Sequence, residues 1–197
     1  MAASRYLGLN PEIHDVNVYR GEGRSPQYLA VNPTGKIPTL VDGEFVLSES
    51  NAILLYLAEV HGCNRLWSNE PKQRGRIVQW LFWESAHWQP TLVAFLSEWV
   101  GHRLLPERIP APKQAPDWST AAVQSVLNTL ETGLRADAFL AGPAATIADF
   151  AVAGMTTYFK AANFPFQRFP KIADWYARIE SLEAWRATQS PLWAAAQ

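Results

Sequence analysis

The chain holds 197 residues, 48% of them hydrophobic and 18% charged, which is enough for one large or two small domains with a real core. Lys plus Arg number 17 against 18 Asp plus Glu, so the net charge of -1 offers no global attraction to nucleic acid or an anionic membrane. The single cysteine, Cys63, excludes an internal disulfide, a Cys-x-x-Cys redox motif and a cysteine-based zinc site.

Residues 2 to 7 read as a short helix closed by Gly8, and Ile13 to Val18 alternates like a strand, with Ile13, Val16 and Val18 approximately in phase. A short helix or loop follows over Pro26 to Val31. Pro33 and Gly35 then punctuate a turn, and Asp42-Gly43 between two short β-prone runs predicts a hairpin. Ser48, Glu49 and Ser50 precede an apolar-periodic helix that reaches about His61, with Ile53, Leu54, Leu57 and Val60 on one face. Gly, Asn, Ser and Pro between Gly62 and Pro71 mark the domain boundary, dividing the chain into 1–62, a linker at 63–71 and 72–197. Cys63 falls in that linker and is read as a bystander.

Two features of this half point to function. Pro38 has no N–H yet sits inside a β-rich run, where proline belongs only on an edge or in a special turn. A cis Ile37–Pro38 bond resolves the conflict and would turn the Ile37 main chain outward to pair with an extended peptide ligand. A trans proline on an exposed edge is the plainer alternative. At the helix start, free N–H groups and the Ser50 hydroxyl can hold a carboxylate while Glu49 holds an ammonium group, together gripping the amino-acid end of a zwitterion. Ordinary N-capping accounts for the same two residues equally well.

Everything after Pro71 reads as helix. A segment from about Pro71 to Leu104 carries Ile77, Trp80, Leu81, Glu84 and Trp88 at helical spacing, kinked or broken by Pro90. The proline-rich loop 106–116 ends at Asp117, a cap for a helix through Leu134 striped by Val123, Val126, Leu127, Leu130 and Leu134. Thr146-Ile147-Ala148-Asp149 has the spacing of a capping-box variant and opens an apolar helix reaching about Ala161. Two short helices over Ile172–Ile179 and Leu182–Ala187 close the chain. His14, His61 and His102 show no metal-ligand spacing, so no metal is expected. With no long apolar run and no signal-peptide pattern, the cytoplasm is the expected compartment.

The order of a proline before a hairpin and then a Glu-Ser pair opening a helix resembles the glutathione transferase superfamily, and the likeness covers essentially the whole chain. It implies an α+β two-domain fold, a thioredoxin-like N-terminal domain followed by an all-α helical-bundle domain. By that resemblance Ile37 pairs with the cysteinyl unit of glutathione, Pro38 is the cis proline, and Glu49 and Ser50 hold the γ-glutamyl end. Lys36 sits near the glycyl carboxylate. The resemblance makes Thr146 and Asp149 a structural capping box at the start of a buried helix. By rough positional correspondence, Trp88, Gln89, Leu92 and Tyr158 wall the site of a small hydrophobic electrophile, and the protein is a homodimer.

In the family the thiol is activated by a Tyr, Ser or Cys after the first strand. Ala2 to Leu9 matches the second half of the first helix, so the resemblance implies that the first strand, the catalytic loop and the start of that helix are missing from these residues. Ser4 and Tyr6 lie on the later part of the helix and do not fill the role. The leading functional expectation is a glutathione transferase that conjugates or reduces small electrophiles and has neither nucleic acid nor membrane as partner. A non-catalytic binding or scaffold member of the same fold is the second. A thiol-disulfide oxidoreductase is disfavoured because its nucleophilic cysteine is absent.

Overall fold

The structure, a computed structural model, describes residues 1–62, 65–134 and 137–190, and Cys63 lies outside the described residues. The first part holds three helices, α1 (Ala2–Tyr6), α2 (Pro26–Val31) and α3 (Ser50–His61), and an antiparallel pair of strands, β1 (Thr39–Asp42) and β2 (Phe45–Ser48). The register is Thr39 opposite Ser48 through Asp42 opposite Phe45. The two residues of the turn are therefore Gly43 and Glu44, one step later than the Asp42-Gly43 reading, and Gly43 takes the left-handed φ of 59° that the tight turn requires. The Tyr56 hydroxyl of α3 donates to Asp42 Oδ2 at 2.7 Å and its ring packs on Phe45, which lays α3 along the hairpin.

The strand expected over Ile13 to Val18 does not form. Ile13 is 51% exposed, and the chain runs unpaired into two 3-10 turns, Val18–Arg20 and Glu22–Arg24. A strand exists only where a neighbour takes its N–H and C=O groups, and among the described residues β1 and β2 pair only with each other. Asn17 and Glu22 instead close the segment on itself through short-range hydrogen bonds. The face expected on α3 also shifts. Val60 is exposed, and Ala58 is buried with Leu54 and Leu57 packed against the core.

The second part is helical, as the family resemblance implies. Glu70 caps α4 (Pro71–Trp83) by accepting from the Lys72 and Gln73 N–H groups. Five residues of π-helix, Glu84–Trp88, join α4 to α5 (Gln89–Leu104). This widened turn accommodates Pro90: the ladder is already shifted to an i−5 bond from Gln89 to Glu84, and the proline falls in the first turn of α5, where no donor is needed. Asp117 does not cap the next helix. It accepts from Ser119 in a local turn, and α6 (Ala121–Gly133) begins after Thr120.

The core is organised on α7 (Ile147–Thr156), where nine of ten residues are buried. It stops at Thr156, short of the expected Ala161, because the following bonds tighten to i−3 spacing at Tyr158 and Phe159. Phe159 then stacks on Phe164 at 4.1 Å. Glu131 of α6 accepts from Lys171 and Ile172 and so caps α8 (Pro170–Ser181), which α9 (Glu183–Arg186) follows. The capping box of Thr146 and Asp149 is present. The Asp149 carboxylate is fully buried and accepts from Thr146 N, Thr146 Oγ1, Leu140 N and Trp175 Nε1, all at 2.8–3.0 Å. No helix among the described residues is long and apolar enough to cross a membrane.

Candidate functional site

The turn from Asn32 to Pro38 is held from within. Asn32, 3% exposed, donates through Nδ2 to the Lys36 carbonyl and to Thr39 Oγ1, and accepts through Oδ1 from Thr34. The Tyr28 hydroxyl of α2 donates to the same Lys36 carbonyl at 2.7 Å. These contacts fix the chain up to Lys36 and leave the next two residues outside the network. The Ile37–Pro38 bond is cis, Ile37 is 51% exposed, and no hydrogen bond among the described residues uses its main-chain N–H or C=O. Lys36 and Pro38 are exposed beside it.

The hairpin register brings the second cluster to the same end. Thr39 follows Pro38 and faces Ser48, which precedes Glu49, so Lys36–Pro38 and Glu49–Ser50 meet across one edge of the sheet. Glu49 is exposed and takes φ 70°, ψ 117°, a region that a residue with a side chain rarely adopts. It occupies the N-cap position of α3 without a side-chain capping bond, and Ser50 is already the first helical residue. Capping therefore does not account for the pair. The first N–H groups of α3 and the positive end of its dipole face the same edge.

Asn51 ties this helix start to the second part of the chain. Its Nδ2 donates to the Leu81 carbonyl and to Glu84 Oε2, both at 2.9 Å, while its Oδ1 is buried with no partner among the described residues. Glu84 is 4% exposed, in the π-helical turn. Burial pushes its carboxyl above the usual range, and the Asn51 amide opposes that push.

The four residues expected to line an electrophile site differ in exposure. Trp88 and Leu92 are fully buried: the Trp88 indole donates to the Val152 carbonyl at 3.0 Å and stacks on Trp83. Trp88 belongs to the helical stripe read from the sequence, and both side chains lie in the core of the second part. Gln89 is exposed and Tyr158 half-buried. Burial, then the neighbouring Tyr19 phenol, raise the Tyr158 hydroxyl above its usual range. Tyr28, Asn32 and Asn51 were not singled out from sequence. Pro33 and Gly35 mark the turn that Asn32 holds, whereas nothing local connects Asn51 with Glu84, 33 residues away.

Comparison with known proteins gives the same frame. Residues 1–59 match the model for the glutathione S-transferase N-terminal domain, and residues 106–178 match that for the C-terminal domain. The chain is 33% identical over 187 residues to glutathione S-transferase F10 of Arabidopsis thaliana, covering 91% of this chain and 85% of that protein. It is 29% identical to human glutathione S-transferase theta-2, over 88% of this chain and 72% of the relative. Among solved structures, the Bombyx mori glutathione transferase BmGSTD1 in complex with GTT superposes with a TM-score of 0.79 at 28% identity, over 93% of this chain and 82% of that one. Sequence relationship over most of both chains, a shared fold and a matching model at each end lead to one conclusion: this chain belongs to the glutathione S-transferase family.

Proposed function

We propose that the chain binds glutathione along the edge formed by Lys36, Ile37, Pro38, Glu49 and Ser50, and that it uses the thiol to conjugate or reduce small hydrophobic electrophiles. The observation that carries this reading is the register of Thr39 with Ser48, which joins an unpaired main-chain segment to a charged helix start. Glutathione is an extended peptide with an amino-acid end. The cysteinyl unit pairs with the Ile37 N–H and C=O as an added strand would. Glu49 takes the ammonium of the γ-glutamyl end, Ser50 and the N-terminus of α3 take its carboxylate, and Lys36 meets the glycyl carboxylate.

In conjugation the sulfur gives up its proton and bonds to an electrophilic carbon. That carbon either releases a leaving group with its bonding pair or, in an activated double bond, passes the π pair to a neighbouring atom that takes up a proton. A free thiol has a pKa near 8.5, and lowering it by about two units takes about 2.7 kcal/mol of preferential thiolate stabilisation. The five residues named here bind and orient; none is assigned to lowering that pKa. On this reading the chain divides into a glutathione domain at 1–62, a linker at 63–71 and a helical domain at 72–197. It acts as a cytoplasmic homodimer that clears hydrophobic electrophiles. Phe82, 70% exposed, and Val93, 51% exposed, on the α4–α5 helices are the apolar surface offered to the second copy. In sedimentation, Phe82→Glu is expected to shift the protein toward monomer, and an unchanged dimer would remove that face from the interface.

The direct test is calorimetric titration of reduced glutathione into the chain. Saturable binding near one site per chain is expected, abolished or greatly weakened in Glu49→Ala. A folded protein with no binding would overturn the assignment.

A further inference from the structure

The segment between Asn17 and Arg24 is a strap closed by its own hydrogen bonds and held at two points. Within it, Asn17 Oδ1 accepts from the Arg20 N–H at 3.0 Å, the Asn17 N–H donates to Glu22 Oε2 at 2.6 Å, and the Glu22 N–H returns to the Asn17 carbonyl at 3.1 Å. At its base the backbone of Gly23 lies directly on that of Gly35. A Cβ on Gly23 would come within 2.3 Å of the Gly35 carbonyl oxygen, and one on Gly35 within 2.6 Å of the Gly23 oxygen. Gly35 is followed by Lys36, Ile37 and Pro38.

The tip of the strap crosses to the helical part. Arg20 Nη2 lies 3.3 Å from Glu107 Oε1, with both side chains about half exposed. The chain just beyond Glu107 is anchored on the helical side: two residues on, Ile109 packs against Gly101, where a Cβ would meet it at 2.7 Å, and the Ile109 carbonyl bonds His102 Nδ1 at 2.8 Å. Beside Arg20, Tyr19 neighbours Tyr158 at the end of α7. A continuous series of contacts thus runs from Glu107 through a short hydrogen-bonded segment to the turn that precedes the cis proline.

We propose that Arg20 and Glu107 form an interdomain clasp that sets the position of the Lys36–Ile37–Pro38 turn, acting as positioning residues through the Gly23–Gly35 contact. For glutathione this rests on the reading of that turn as its binding edge; for the turn itself it does not. An exposed ion pair has a modest effect, so breaking the clasp is expected to change the equilibrium by about two- to five-fold, and less at high salt.

The test uses the full chain with Arg20→Glu, with Glu107→Arg, and with both reversals together. In the ligand-free protein, hydrogen exchange in residues 33–40 is expected to quicken about two- to five-fold in each single variant and to return to the original rate in the double variant. Glutathione affinity by calorimetry is expected to fall by the same factor and recover in the same way. A purely structural role for either side chain would not be rescued by exchanging the charges. Unchanged exchange in Arg20→Glu, or no recovery in the double variant, would overturn the clasp. If exchange responds as expected while no variant binds glutathione, the clasp stands and the binding assignment fails.

Discussion

At the start of α7 an acid is completely buried and both its oxygens are satisfied, whereas at the start of α3 an acid stands exposed at φ 70° without a capping bond. The two helix starts carry similar residues, Thr-Ile-Ala-Asp and Ser-Glu-Ser-Asn, and put them to opposite uses. In α7 the polar groups are consumed by the fold: Asp149 binds the cap, the preceding loop at Leu140 and the α8 indole of Trp175 together. In α3 the carboxylate and the first amides remain available to something outside the chain. Substitutions at the first site should therefore alter stability, and at the second, ligand binding.

The strongest break in this contrast would come from Asp149→Ala, which strands the Leu140 and Thr146 amides and the Trp175 indole N–H inside the core. A loss of about 3 kcal/mol or more is expected, since each buried unsatisfied donor costs about 1–3 kcal/mol. A thermal melt unchanged from the native protein would show that α7 does not depend on its box. Next in size is Glu49→Ala. Losing a charge-assisted hydrogen bond costs about 1.5–3 kcal/mol, so glutathione affinity should drop about ten- to a hundred-fold while the melting temperature holds. A variant that melted much earlier instead would make Glu49 a fold residue like Asp149 and erase the distinction.

The smallest expected effect sharpens the comparison at the join between the two parts. Glu84 has its carboxyl raised from an ordinary value of 4.5 by burial, so the folded state favours its protonated form. The stability it contributes is fully present below the unfolded pKa and is lost as pH rises through the folded one. Glu84→Gln keeps an acceptor for the Asn51 amide, removes the charge and supplies an N–H that Asn51 Oδ1 is free to accept. Denaturant midpoints followed upward from pH 4.5 should decline less in the variant than in the native protein. Parallel declines would mean that Glu84 does not titrate in this window.

What was legible in the sequence was whatever a few consecutive residues decide. The hairpin, the helix after Ser50, the misfit of Pro38 and the Thr-x-x-Asp box are all local signals, and each has its counterpart in the structure. The strand at Ile13 to Val18 misled because alternation is local while pairing is not. Trp88 and Leu92 are assigned to an electrophile wall by rough positional correspondence, which gives a place along the chain without showing whether a side chain meets a cavity or the core, and both are fully buried. Asn51 with Glu84, Trp175 with Asp149 and Trp88 with Val152 join residues 33, 26 and 64 positions apart, and no spacing rule links them.

The π-helical turn at Glu84–Trp88 also sets how this region tolerates changes in length. A helix advances about 100° per residue, and the widened turn takes up one residue more than an α-helical turn holds, so the helix on either side keeps its face. One residue removed between Glu84 and Trp88 closes the turn to i−4 bonding and leaves Leu92, Leu96 and Val100 on their buried side. One residue removed within the sixteen of α5 has no such slack, and turns everything after it by about 100° against everything before it.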